Sequence, residues 1–266
     1  MSKYVLDDRE NSELERLAFQ HEVWADETRR LFNKANLKGA ERILEPGCGP
    51  GYCIREFANE GIKEIWGVDS SELFINHLKK WVKNQQIENR IKPLCSDLLQ
   101  VQLPENYFDA CYCRWLLMFV PDVEKAVQKV YASLAPGGVF AIMEYGPFLN
   151  ISISPPSKTF DKIYEGVFQL ISNWGGNPDI GLQLPEILEK TGFKNVQASS
   201  ISKSANPGSQ LWKWIEMTGS NHKNLVENGI IDLEDLQAYE NLMNTRSKNR
   251  DSVFTAPTVQ HITAYK

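Results

Sequence analysis

Short apolar runs alternate with stretches of helical periodicity between residues 43 and 144. Ser70-Ser71-Glu72 opens one of the helical stretches in the manner of an N-cap, and Pro136-Gly137-Gly138 ends another. Alternation of this kind predicts βα units built around a largely parallel sheet, with the apolar runs as its buried strands.

The flanking segments have a different pattern. Residues 1–40 carry apolar positions at three- and four-residue steps, which predicts helices. A helix at 160–174 and another at 184–191 precede a strand at 193–202. Residues 258–265 alternate in the manner of a last strand.

Segments that depart from the alternating strand and helix pattern define the domain organisation. Residues 205–253 are predicted to be wholly helical, and no internal repeat divides the chain. We therefore predict an α/β fold in a single domain over 1–266. Its parts are a helical lid at 1–40, a cofactor-binding core at 41–145, and helical insertions at 146–180 and 205–254.

A glycine stands at every second position from Gly47 to Gly51, after an apolar run that ends in Glu45. Such a loop at the start of a helix presents free backbone N–H groups and the positive end of the helix dipole. Asp69 ends the next run, where an acid can hold a ribose through both hydroxyls. A dinucleotide loop would need a third glycine at Tyr52, so the spacing predicts a different nucleoside-bearing cofactor.

Further segments follow this loop in a fixed order: residues 92–97, residues 107–119, and then a helix, Ala135-Pro136-Gly137-Gly138 and a strand. Together with Glu45 and the glycines, they resemble the motifs of the class I methyltransferases that use S-adenosylmethionine. Residues 4–30 and 177–185 resemble a bacterial small-molecule subgroup related to the quinone-biosynthesis type. The resemblance implies a doubly wound, mostly parallel seven-stranded sheet whose last strand is antiparallel.

The resemblance also implies roles for individual residues. Asp69 would accept from the ribose hydroxyls, Asp97 from the adenine amino group, and the Leu98 N–H would donate to the ring. Glu144, at the end of the fifth strand, is the candidate general base. The residues expected to touch the cofactor are Glu45, Gly47, Cys48, Gly49, Gly51, Asp69, Ser70, Ser96, Asp97, Leu98, Arg114 and Trp115, with Tyr4 and Gln20 from the lid.

Composition narrows the class of partner. The formal net charge of −5 disfavours a nucleic-acid substrate, which usually meets a basic face. No apolar run approaches a membrane span, and the charged first residues differ from a signal peptide, so we expect a cytoplasmic protein. The five cysteines and four scattered histidines suggest no disulfide framework and no metal site; Cys111 and Cys113 are interpreted as small buried side chains.

We expect a small, largely apolar, aromatic acceptor, with methylation at a phenol-like oxygen favoured over nitrogen. The aromatic residues expected to line its pocket are Phe148, Phe160, Tyr164, Phe168, Trp174 and Trp212. Two other functions remain open at this stage: a nicotinamide-dependent oxidoreductase and a non-catalytic binding protein with the same fold. The insertions could alternatively serve a homodimer interface.

Overall fold

The computed structural model describes residues 10–266, apart from the side chains of residues 10–12, 220 and 221. The helices are α1 Glu10–Val23, α2 Ala25–Lys34, α3 Tyr52–Asn59, α4 Glu72–Gln85, α5 Val123–Ser133, α6 Lys158–Asn173, α7 Ile180–Thr191, α8 Gln210–Thr218, α9 Lys223–Glu227 and α10 Leu233–Arg246. The strands are β1 Arg42–Pro46, β2 Glu64–Asp69, β3 Ile91–Cys95, β4 Phe108–Arg114, β5 Leu134–Tyr145, β6 Ser152–Ser154, β7 Lys194–Ile201, β8 Ser204–Ala205, β9 Val253–Thr255 and β10 Val259–Tyr265.

The main sheet has seven strands in the order β3-β2-β1-β4-β5-β10-β7. Neighbouring strands among β1 to β5 pair in parallel, whereas β10 lies antiparallel between β5 and β7. The chain winds outward in one direction from β1 and in the other from β4, so a crevice opens where these two strands meet at their carboxyl ends. The predicted doubly wound sheet with an antiparallel last strand is confirmed.

The continuous apolar runs form strands because both faces of the sheet are covered by helices. Ile43, Cys111, Cys113 and Ile142 are fully buried within it. The predicted N-cap is also present, since the Ser71 hydroxyl accepts a hydrogen bond from the Phe74 N–H at 3.3 Å and starts α4. These local signals fix where each strand ends, and the strand ends form the floor of the site described below.

The sequence predicts that residues 205–253 are wholly helical, but short strands border this insertion and also occur in the first one. Strands β6, β9 and β8 form a small antiparallel sheet that joins the first insertion to both ends of the second. Strands of two or three residues are too short for alternation to be read from a sequence, which explains the error. Helix α6 packs against α10 above this small sheet.

The two N-terminal helices are packed differently. Leu31 and Phe32 of α2 are buried in the main core, where the Phe32 ring stacks on Phe57 with centroids 4.5 Å apart. Helix α1 is mostly half-buried and meets the core through fewer contacts, including a 3.0 Å hydrogen bond from the Tyr52 hydroxyl to the Leu14 carbonyl. Within the predicted lid, α2 is therefore part of the core and α1 is its peripheral element.

Candidate active site

A cavity of about 970 Å³ lies at the carboxyl ends of β1, β2, β4 and β5. This volume is at the upper end of the roughly 300–1,000 Å³ that is typical of small-molecule sites. The strand ends and the glycine loop form one wall, and α1, α6, α8 and α9 form the others. The cavity is therefore large enough to place a cofactor and a second small molecule next to each other.

The glycine loop forms part of the cavity wall nearest the sheet. Gly49 has a φ of +52° and lines the cavity, and a Cβ built on it would meet no protein atom within 4 Å. Gly51 has a φ of +83° and begins α3, where a Cβ would collide with the side chain of Leu78. Glycine adopts a positive φ without strain and has no Cβ to collide with a neighbour. The loop therefore gives a ligand direct access to the backbone.

Asp69 connects the loop to the end of β2. Its Oδ2 accepts a hydrogen bond from the Gly49 N–H and its Oδ1 accepts one from the Ser71 N–H, both at 2.8 Å. Burial raises the pKa of this carboxyl, while the two backbone N–H groups act in the opposite direction. Each carboxylate oxygen can accept a further hydrogen bond, so Asp69 can hold the loop and a ligand at the same time.

Residues after β3 form the next part of the wall. Ser96, Asp97 and Leu98 all line the cavity. The Asp97 Oδ1 accepts a hydrogen bond from the Leu99 N–H at 2.7 Å, which orients the carboxylate within its turn. The structure therefore brings Asp97 and Leu98 to the same cavity as Asp69 and the glycine loop.

Glu45 provides an unpaired buried acceptor in this wall. Its side chain is 3% exposed, and its Oε2 has no hydrogen-bond partner among the described residues. Burial raises the pKa of this carboxyl to about 8, although the nearby Arg114 guanidinium lowers it. A buried polar atom without a partner is costly, so its position in a cavity wall favours a ligand group that pairs with it.

Arg114 ends β4 and Trp115 follows it, and both lie between the sheet and the N-terminal helices. The Arg114 Nη1 donates to the Thr28 Oγ1 at 2.9 Å and lies 3.3 Å from the His21 Nδ1. Trp115, at a φ of +51°, stacks on Tyr145 with centroids 5.4 Å apart. Both residues line the cavity, as does Gln20 from α1, whereas Tyr4 lies outside the described residues.

The structure does not place Glu144 in the cavity. Successive side chains of a strand face opposite sides of the sheet, and it is the neighbouring Tyr145 that lines the cavity. Glu144 is fully buried, and its carboxyl accepts hydrogen bonds from the Met118 N–H at 3.3 Å and the Tyr145 N–H at 3.0 Å. The general-base assignment is therefore corrected: Glu144 positions the loop after β4.

The buried Glu144 leads to a prediction about pH. Burial raises its pKa to about 7 from 4.5, so the folded chain binds more protons than the unfolded chain between these values. The contribution of Glu144 to stability must then fall as pH rises through that window, by on the order of 2 kcal/mol between about pH 5 and about pH 7. We expect Glu144→Gln to show a smaller fall, measured by urea unfolding at both pH values. Equal falls in the parent and the variant would contradict this.

The insertions contribute further residues to the cavity wall. Phe148, Tyr164 and Trp174 line it as predicted, but Phe160, Phe168 and Trp212 do not. Trp212 is buried elsewhere and donates its Nε1–H to Glu216 at 2.9 Å, and Trp214 lines the cavity instead. Residues two apart on a helix face different sides, so a crowded aromatic sequence cannot place every ring on one face.

Among the cavity residues that sequence reasoning missed, two others carry no motif. They are Tyr145, at the end of β5, and His222, just before α9. The alternation of side chains along β5 could have indicated Tyr145 once the strand register was known. Nothing in the sequence around His222 indicates that it lies at a site.

Comparison with known proteins agrees with this geometry. Residues 44–142, from β1 to β5, match a family model described as a methyltransferase domain. Sterol 24-C-methyltransferase erg6 of Aspergillus fumigatus is 25% identical over 115 residues, covering 43% of this chain and 30% of that protein. Phosphoethanolamine N-methyltransferase 2 of Caenorhabditis elegans is 26% identical over 179 residues, covering 66% of this chain and 38% of that protein. The chain thus spans about a third of the length of these two relatives.

Solved structures show the same fold over nearly the whole chain. A SAM-dependent methyltransferase from Archaeoglobus fulgidus superposes with a TM-score of 0.58 at 18% identity, covering 96% of this chain and all of that one. The family match over residues 44–142 and this shared fold confirm the resemblance to the class I methyltransferases that the sequence predicts. The rest of the chain supplies the other cavity walls.

Proposed function

We propose that this chain is an S-adenosylmethionine-dependent methyltransferase that acts on a small, largely apolar molecule. The observation that carries the proposal is that the glycine loop, Asp69 and the Asp97-Leu98 pair line a single cavity. These are the elements to which the family resemblance assigns the methionine part, the ribose and the adenine. Their convergence at the crevice between β1 and β4 agrees with the ligand position of open α/β sheets.

The chain's own atoms fit this cofactor. The open space above Gly49 accommodates a group that approaches the backbone closely. An ammonium group placed at the partnerless Glu45 Oε2 would donate to it and stabilise the ionised carboxylate, which burial otherwise disfavours. The Asp69 carboxylate retains acceptor capacity for two ribose hydroxyls. At the position of a dinucleotide loop's third glycine, the Tyr52 ring instead stacks on His21 of α1 with centroids 5.8 Å apart.

The mechanism requires placement more than proton chemistry from the protein. When bound, the cofactor supplies a methyl group that is already activated by its sulfonium. In-line displacement then requires the acceptor atom to be held opposite the sulfur, and fixing that geometry accounts for much of the rate. Trp115 and Tyr145 lie between the sheet ends and the inserted wall, and α1 covers the cavity and excludes water.

An apolar acceptor is supported by the walls that the insertions contribute. Ile151, Val167, Leu170, Ile171 and Ile215 line this part of the cavity together with the aromatic rings named above. A phenol-like acceptor that enters as its anion, having left its proton in solvent, suits such a low-dielectric site. The oxyanion and the sulfonium neutralise each other as the O–C bond forms and the S–C bond breaks. We therefore propose a phenol-like oxygen as the methylated atom.

A phosphorylated acceptor, as in the name of the Caenorhabditis elegans relative, is disfavoured by the charges that line the cavity. Arg16 and Arg114 are the cations among the described residues that line the cavity. Arg16 forms an ion pair with Glu13 at 2.7 Å, and Arg114 is held by Thr28. Neither is presented to the inserted wall as a phosphate partner would be.

Calorimetric titration of the full chain with S-adenosylhomocysteine and, separately, with NAD tests the cofactor assignment. We expect saturable binding of S-adenosylhomocysteine and no comparable binding of NAD. The opposite result would favour the oxidoreductase. Methylation of a panel of phenols, anilines and alkyl amines, followed by release of S-adenosylhomocysteine, then tests the acceptor class.

The unequal packing of the N-terminal helices predicts an unequal response to cofactor. Arg16, Leu17 and Gln20 of α1 line the cavity, whereas the buried side chains of α2 belong to the main core. We expect S-adenosylhomocysteine to slow hydrogen exchange in α1 and to leave α2 nearly unchanged. Peptides from the two helices can be followed separately by mass spectrometry, and an equal change in both would contradict the prediction.

A homodimer remains the alternative role for the insertions. The residues that α6, α8 and α9 contribute to the cavity wall support their role as its cover instead. Among the described residues, no helix has both the length and the apolar character needed to cross a membrane.

A further inference from the structure

A cluster of three polar rings borders the acceptor side of the cavity. His222 contacts the Tyr239 ring at 4.9 Å and the Tyr164 ring at 5.4 Å between centroids, both edge to face. Tyr164 and His222 line the cavity, and Tyr239 supports them from α10. All three residues come from the insertions, where Thr218, Asn224, Glu227 and Asn228 line the cavity beside apolar residues such as Ile215 and Leu225.

His222 is buried without a hydrogen-bond partner. It is 2% exposed, and neither Nδ1 nor Nε2 has a partner among the side chains and backbone groups that the structure describes. Burial lowers its pKa to about 4, so the ring is neutral near pH 7 and has one N–H donor and one acceptor nitrogen. Buried polar groups are almost always paired, so this ring calls for an explanation.

The tyrosine pair has unused capacity as well. The hydroxyls of Tyr164 and Tyr239 lie 3.2 Å apart, and that contact uses the hydrogen of only one of them. Burial raises the pKa of both phenols, so both stay protonated. The hydroxyl that accepts in this contact keeps its own hydrogen and can donate it to another group.

We propose that His222 and Tyr164 form a polar subsite in the acceptor cavity and bind a neutral hydroxyl group of the acceptor. A hydroxyl both donates and accepts, which matches a neutral imidazole beside a phenol. An anionic group is a poorer match because His222 supplies no positive charge, and a carbonyl would leave the acceptor nitrogen unpaired. This inference rests on the proposed function, since it specifies which acceptors the cavity selects.

The test uses para-butylphenol and butylbenzene, which differ by one hydroxyl. Each is titrated into the full chain saturated with S-adenosylhomocysteine. We expect the parent to bind para-butylphenol about tenfold more tightly than butylbenzene, because the phenol gains one hydrogen bond in a buried site. His222→Phe should abolish this preference, and Tyr164→Phe, which keeps the ring and removes only the hydroxyl, should reduce it.

His261 offers a matched control. It is also a buried histidine, with burial lowering its pKa to about 4 and its Nε2 unpartnered among the described residues, but it lies on β10 away from the cavity. His261→Phe should retain the preference of the parent.

The outcomes separate the inference from the proposed function. Loss of the preference in His222→Phe and not in His261→Phe supports the subsite. An unchanged preference in folded His222→Phe, or no preference in the parent, overturns it while leaving cofactor binding intact. If His222→Phe does not fold, an unchanged preference in Tyr164→Phe overturns it instead. Failure of the parent to bind S-adenosylhomocysteine would count against the proposed function itself.

Discussion

Asp69→Ala should weaken the binding of S-adenosylhomocysteine roughly ten- to 150-fold, because two ribose hydroxyls would lose their charged acceptor. The estimate follows from about 1.5–3 kcal/mol for hydrogen bonds to a charged group. Asp69→Asn, which keeps one acceptor oxygen, should lose less. Calorimetric titration measures both variants, and parent-like binding by Asp69→Ala would contradict the assignment.

The same carboxylate also holds the loop, so the effect has two sources that must be separated. Loss of the hydrogen bonds to the Gly49 and Ser71 N–H groups could weaken binding by disturbing the backbone alone. Adenosine and dideoxyadenosine, which lacks both ribose hydroxyls, distinguish these sources. We expect the preference for adenosine to disappear in Asp69→Ala, whereas a loop disturbance would weaken both ligands equally.

Asp122→Ala is a suitable control for the loss of a capping aspartate. The Asp122 Oδ1 accepts from the Lys125 N–H at 3.0 Å and caps α5 on an exposed surface, and Asp122 does not line the cavity. Its loss should lower stability by about 1 kcal/mol, the typical value of an N-cap, and leave cofactor affinity unchanged.

The elements that the sequence predicts well are those with local signals at their ends. The glycine loop after β1, the Ser71 cap of α4 and the Pro136-Gly137-Gly138 turn each act within a few residues, so the order of strands and helices can be read without the fold. The cofactor-binding candidates Asp69 and Asp97 can be predicted for the same reason. Each follows or ends a predicted strand, and the carboxyl ends of the strands form the edge of the sheet that binds ligands.

The errors share a different cause. The direction in which a side chain faces depends on strand register and packing. Tyr145 therefore lines the cavity where the sequence predicts Glu144, and Trp214 lines it where the sequence predicts Trp212. The strands β6, β8 and β9 have little pattern of their own. They depend on pairing between segments about a hundred residues apart for β6 and β9, and about fifty apart for β8 and β9. His222 becomes notable only because the folded chain buries it beside the cavity without a described partner.

Gly49→Ala should weaken binding of S-adenosylhomocysteine by about 1–3 kcal/mol, or roughly five- to 150-fold, since a methyl group would occupy the space proposed for the cofactor. The left-handed backbone at Gly49 also makes alanine costly to stability, by about 1–2 kcal/mol. A change in affinity alone would therefore not show whether the methyl blocks the site or strains the loop.

Gly137→Ala resolves this ambiguity. Gly137 has a φ of +80°, and a Cβ built on it also meets no atom within 4 Å, but it lies in the exposed turn within β5 outside the cavity. Both variants should therefore lose similar stability in urea unfolding, while only Gly49→Ala loses cofactor affinity. Equal affinities for the two variants would mean that the open space at Gly49 is not where the cofactor binds, since the backbone strain is matched between them.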